Sequence, residues 1–165
     1  MRRKKVYEVI HMTFFTQLAH NEILMSAGLS WIMAQIVKTI IHLILTKKFV
    51  AERLIGSGGM PSCHSATVCA LTTSVIINEG ISSPFFAISM ILSIIVMYDA
   101  MGVRLETGLQ AKALNEIIQL IEDMGKDLTA DEKFKEFVGH TPIQVFVGAI
   151  LGIIVALIYC LLIIR

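Results

Sequence analysis

Hydrophobic residues along this chain fall into four long blocks separated by polar segments. No charged residue occurs between Val145 and Ile164, and none between Gly80 and Tyr98. Ile23 to Thr46 carries one charge, Lys38, while Pro61 to Asn78 is uncharged but rich in Ser, Thr and Ala. About twenty apolar residues suffice for a helix to cross a bilayer. The pattern therefore predicts an all-α integral membrane helix bundle with about four transmembrane spans, over 22–46, 62–79, 84–103 and 141–164. Small and hydroxyl-bearing residues suit a helix surrounded by other helices better than one facing lipid. The second span is accordingly expected at the centre.

Two segments break this pattern. Residues 1–20 open with Arg2, Arg3, Lys4 and Lys5 and continue as a mixed stretch with no small-residue cleavage site. They predict a basic interfacial segment, helical over 6–20 and held by anionic lipid. Residues 105–139 contain most of the acidic side chains, with Leu109, Ala113, Ile117, Leu120 and Ile121 at helical spacing. That spacing predicts amphipathic helix within 106–137, in an extramembrane insertion. The whole of 1–165 reads as one membrane domain.

Composition sharpens this picture. The chain is 55% hydrophobic and 16% charged, against about a quarter charged in an ordinary soluble domain. A short soluble chain could not cover so much hydrocarbon. A formal net charge of +1 gives no nucleic-acid signature. Three cysteines, at 63, 69 and 160, make neither a disulfide framework nor a zinc ligand set. No metal or cofactor is expected.

Counting crossings gathers the unusual residues. Arg53, the GGMPSCHS loop, Asp99 to Arg104, and GHTPIQ from Gly139 all emerge at one membrane surface, so the 105–139 insertion lies on the site side. His64 follows Ser62 at the start of the second span, and His140 precedes Thr141-Pro142, a strong helix-start pair. Both histidines thus sit at helix N-termini, which favour anions. Gly58 and Gly59 allow close backbone approach, and Arg53 and Arg104 offer bidentate hydrogen bonds to phosphate. Lys38 shares a helix face with Gln35 and His42, and an ionisable residue inside a span is a functional candidate. Two histidines with several cations suggest phosphoryl transfer through a phosphohistidine, one imidazole attacking and the other protonating the leaving oxygen.

At these residues the chain resembles a known family. GGMPSCHSA, YDAMGVR with GLQAKALN, and GHTPIQVFVG, in that order, resemble the divergent membrane branch of the type 2 phosphatidic acid phosphatase and vanadium haloperoxidase superfamily. AQIVK of the first span fits as well, so the likeness runs from about Trp31 to the C-terminus. The resemblance implies that His64 is the general acid and His140 the nucleophile, with Gln144 at the position of the superfamily's orienting carboxylate. It also brings Ser62 and Ser65 into the site. The superfamily's phosphate-binding Lys and Arg have no aligned equivalents, so Lys38, Arg53 and Arg104 are candidates by chemistry and topology.

The departures bear on function. Cys63 stands where this branch usually has serine, Leu105 where a second arginine is common, and Phe134 where the superfamily has arginine. Gln144 can accept a hydrogen bond from His140 but cannot stabilise an imidazolium by charge. Asp99 is the candidate to supply that charge. Two functions follow: a phosphatase acting on a lipid phosphate or pyrophosphate, or a weak or inactive lipid-phosphate binder or translocator. The expected partners are that lipid and the surrounding membrane lipid; the sequence leaves a homo-oligomer open. Cations flanking the spans lean toward a cytoplasmic site face at the cell membrane, with the four N-terminal cations counting the other way.

Overall fold

A computed structural model of the chain describes residues 14–47, 58–124, 134 and 139–163. Among them every regular element is helical. The helices are α1 (Glu22–Thr46), α2 (Cys63–Glu79), α3 (Pro84–Met101), α4 (Val103–Asp123) and α5 (Pro142–Ile158), which ends in a π-helical turn, Tyr159–Ile163. Residues 14–19 are also helical. Residues 6–13 of the expected 6–20 helix, the four cations at 2–5, and 125–133 and 135–137 of the 106–137 segment lie outside the described residues.

The helix starts follow local chemistry. Asn21 Oδ1 accepts the Leu24 N–H at 3.0 Å, and Ser83 Oγ accepts that of Phe86 at 3.1 Å ahead of Pro84. These caps satisfy amides that the helix itself leaves unbonded. At the far end of α1, Lys47 takes a left-handed conformation and returns its N–H to Leu43 C=O at 2.8 Å.

Among the described residues three helices are long and apolar enough to cross a membrane: Glu22–Thr46, Pro84–Ile121 and Pro142–Leu161. The second expected span, α2, has 17 residues, about 25 Å of helix against a hydrocarbon core of about 30 Å. It lies at the centre, packed against α1, α3 and α5. Its small residues explain that position. Ala66 and Ala70 are fully buried, and Gly148 and Gly152 of α5 sit directly on the α2 backbone. A side-chain carbon on Gly148 would collide with Ser62, and one on Gly152 with Ala66. This is the close small-residue packing on which helices in lipid rely.

Hydroxyl groups then tie the bundle across its helices. Ser30 Oγ donates to Ala66 C=O at 3.0 Å, Ser74 Oγ to Ser26 Oγ at 2.7 Å, and Ser93 Oγ to Val68 C=O at 3.0 Å.

The boundary between the third span and the insertion differs from expectation. Helix continues almost unbroken from Pro84 to Asp123, interrupted only at Gly102. Hydrogen bonding runs through the break, from Gly102 N–H to Tyr98 C=O and from Glu106 N–H to Gly102 C=O. The insertion therefore begins as an extension of α3. Its apolar positions Leu109, Ile117 and Leu120 are exposed, while Gly108 and Ala111 are the buried ones.

Candidate active site

Antiparallel packing brings the C-terminal half of α1, the start of α2, the end of α3 and the start of α5 to one end of the bundle. Much of the frame there is backbone. Ser62 N–H donates to Gln144 C=O at 3.0 Å, joining the starts of α2 and α5. His140 N–H donates to Ala100 C=O at 3.1 Å, joining the approach to α5 to the end of α3. Gly139 lies on the backbone of Arg104 and Leu105 so closely that any side chain would collide.

Lys38 enters this frame from α1. It is 2% exposed, and its ammonium donates to Cys63 Sγ at 3.8 Å. Gly58 and Gly59 have positive φ, at 90° and 84°, where a side chain is strained. A carbon added to Gly59 would touch the Lys38 stem at 3.6 Å, so this loop lies along the lysine. Cys63 Sγ lies 3.8 Å from His64 Nδ1.

The two imidazoles face one another across this end, with ring centroids 6.3 Å apart and tilted by 60°. His140 is 1% exposed. Its Nδ1 is 3.3 Å from Gln144 Oε1, which also takes the Thr141 N–H at 3.0 Å. A peptide N–H can only donate, so that Gln144 atom is the carbonyl oxygen, and an oxygen of this kind only accepts. The proton of neutral His140 therefore sits on Nδ1 and the lone pair on Nε2. Among the described residues no group hydrogen-bonds Nε2, which is fully buried. Burial pushes the His140 imidazole below its ordinary pKa; the Gln144 hydrogen bond opposes that shift, while the charges of Lys38 and His64 add to it. The Gly59 backbone also favours the protonated ring, although it stands outside hydrogen-bonding geometry. The result is a neutral imidazole with an available lone pair.

Other candidates are placed differently. Ser62 and Ser65 are fully buried, and Ser65 Oγ donates to Ser62 Oγ at 3.0 Å within the α2 cap. Asp99 and Arg104 form an ion pair with each other on a partly exposed face. His140 Nδ1 donates its hydrogen bond to Gln144 Oε1, not to Asp99. Arg53 lies outside the described residues.

A cavity of about 590 Å³ opens at this end of the bundle, lined by Gly139, Thr141 and Gln144 on the α5 side but by neither His64 nor His140. Lys38, Gly59 and Gln144 form its polar side; Ile41 and Leu45 of α1 face Leu105 and Leu109 of α4 as its apolar walls. Among the described residues no group of three or more His, Cys, Asp or Glu side chains is placed to hold a metal ion.

Sequence reasoning missed two things here. Gln144, expected to accept from His140, also accepts the Thr141 N–H, the returning half of a capping box. The signal was present as Thr141-x-x-Gln144. The roles of Gly139 and Gly148 had no such signal, because a close approach appears only when the partner backbone is known.

The family model described as the Divergent PAP2 family matches residues 19–155. An uncharacterized membrane protein of Bacillus subtilis (strain 168), YuiD, is similar to this chain, with 37% identity over 151 residues that cover 86% of this chain and 96% of the relative. No solved structure matches.

Proposed function

The chain belongs to the Divergent PAP2 family, and on that premise we propose that it is an integral membrane phosphatase hydrolysing a lipid phosphate or pyrophosphate through a phosphohistidine on His140. The observation that carries this reading is the buried, unpartnered Nε2 of His140, with its tautomer fixed by Gln144, 6.3 Å across from the His64 ring. The Nε2 lone pair attacks phosphorus as the bond to the lipid oxygen breaks, and protonated His64 gives its proton to that oxygen. Water then attacks the phosphohistidine. His64 takes the water's proton, the phosphorus–nitrogen bond breaks, and inorganic phosphate leaves. Lys38 and the amides at the start of α2 stabilise the charge on the phosphoryl oxygens.

The cavity supports a lipid substrate. Its polar side suits a phosphate, and its apolar walls belong to a membrane span and to the helix extending from another. Purified protein is expected to release inorganic phosphate from members of a panel of lipid phosphates and pyrophosphates. Equal, background release by wild type and His140→Ala would overturn the enzyme. Gln144, lacking the carboxylate charge, favours a second reading: a protein that binds or moves lipid phosphates without turnover. Binding without release would select it. We read the site face as cytoplasmic at the cell membrane, from the flanking cations. Labelling of a cysteine placed at Lys47 by a membrane-impermeant reagent only after the cells are opened is the expected result; labelling in intact cells overturns it.

A further inference from the structure

Among the described residues, two buried side-chain atoms have no hydrogen-bond partner. One is His140 Nε2, which the proposed mechanism uses. The other is Gln35 Oε1, which it does not. Gln35 is 5% exposed, and a buried amide oxygen with nothing to accept from is costly enough to need an explanation. Its position supplies one. Gln35 lies one turn before Lys38 on the buried side of α1, about 4.5 Å along the axis. His42, one turn beyond Lys38, lines the cavity together with that lysine. The three form a polar stripe about 10 Å long, running from the cavity wall into the bundle. The adjoining residue, Ala34, packs against Cys63 at the start of α2, beside which the Lys38 ammonium sits. Gln35 and Lys38 are thus both buried residues of α1, one turn apart.

An acceptor is a poor neighbour for a bare anion and a good one for an oxygen that carries a proton. We propose that Gln35 is a further ligand-binding residue, whose amide oxygen accepts the P–OH of a phosphate held at Lys38 and so selects phosphate over anions of the same shape that have no proton to offer. This rests on the reading of the site as a phosphate site and adds to it a source of discrimination. Sites that recognise a hydroxyl by a buried partner reject the analogue lacking it, because the partner is then left unpaired.

Inorganic phosphate keeps a P–OH at neutral pH, whereas sulfate is fully ionised. The test is calorimetric titration of the detergent-solubilised full chain with each anion at constant ionic strength. Wild type is expected to bind phosphate at least about tenfold more tightly than sulfate. Gln35→Met, close in length and without a polar end, should lower phosphate affinity about tenfold and leave sulfate unchanged. Lys38→Met should weaken both anions. Equal binding of the two anions by wild type overturns the proposal, as does an unchanged phosphate-to-sulfate ratio in Gln35→Met; in either case the phosphate site stands. Failure of wild type to bind either anion overturns the site reading and this proposal together. Replacing an unpartnered buried amide by an apolar side chain does not endanger folding, and an unfolding transition like that of wild type confirms it.

Discussion

The two ends of the bundle bury polar groups in opposite ways. At the end away from the histidines, Ser74 Oγ donates to Ser26 and meets Cys160 Sγ at 3.4 Å. Nearby, Thr72 and Ser93 hydroxyls share a hydrogen bond at 2.8 Å, and Ser93 also reaches Val68 C=O. These hydroxyls are all paired, across helices that would otherwise meet only through apolar contact. Toward the other end Gln35 Oε1, one turn from the buried Lys38, and His140 Nε2 have no partner among the described residues. Closed pairing is what a bundle needs for cohesion; open valence is what it needs to hold something else.

That contrast can be broken by substitution, and the largest effect belongs to the open end. His140→Ala should lower phosphate release at least about 10⁴-fold, since removal of a nucleophile leaves only binding and electrostatics. His64→Ala should cost about 10²- to 10⁴-fold with a lipid alcohol as leaving group. It should cost far less with a nitrophenyl phosphate, whose leaving oxygen needs no proton. Equal losses on both substrates would remove His64 as the acid.

Next comes the seam joining the two ends. Gly152→Val drives a side chain into the Ala66 backbone and should destabilise the bundle by about 3 kcal/mol, read by thermal unfolding in detergent. An unchanged unfolding temperature would show that α2 and α5 are not packed this closely.

A smaller change tests how the histidine is tuned. Burial lowers the His140 pKa, so its lone pair remains available to lower pH than in an ordinary histidine. Gln144→Glu sets a carboxylate beside Nδ1, favours the imidazolium and raises that pKa. The acidic limb of the kcat/KM profile should therefore move to higher pH by the same amount. A limb that stays put would mean that another group sets it.

The smallest effect is expected at the closed end. Ser74→Ala loses two contacts and should cost about 0.6 kcal/mol, with no change in the rate of phosphate release per folded molecule. A loss of rate without loss of stability would erase the distinction between the ends.

How legible this was depended on range. The all-α bundle, the helix start at Thr141-Pro142 and the gathering of Lys38, His64, His140 and Gln144 at one end followed from hydropathy blocks, capping chemistry and the counting of crossings, because those signals are local and periodic. The central place of α2 was readable from its Ser, Thr and Ala content. What sequence could not show was rotation and contact. Cys63 turned out to lie between Lys38 and His64. The continuity of α3 with α4 was hidden because Gly102 reads as a stop, whereas hydrogen bonding passes through it.

The peptide bonds that frame the histidines have a consequence for how such a protein changes over time. The approach of α2 to α5 is set by Ser62 N–H on Gln144 C=O, and the seat of His140 by its N–H on Ala100 C=O. None of these atoms belongs to a side chain. Exchanging the side chain at 63 or 144 therefore leaves this backbone frame in place, provided positions 139 and 148 stay bare, while a change at 144 replaces the group that orients the His140 ring. Such a chassis lets reactivity drift, from turnover toward mere capture or back, while the architecture around it stands still.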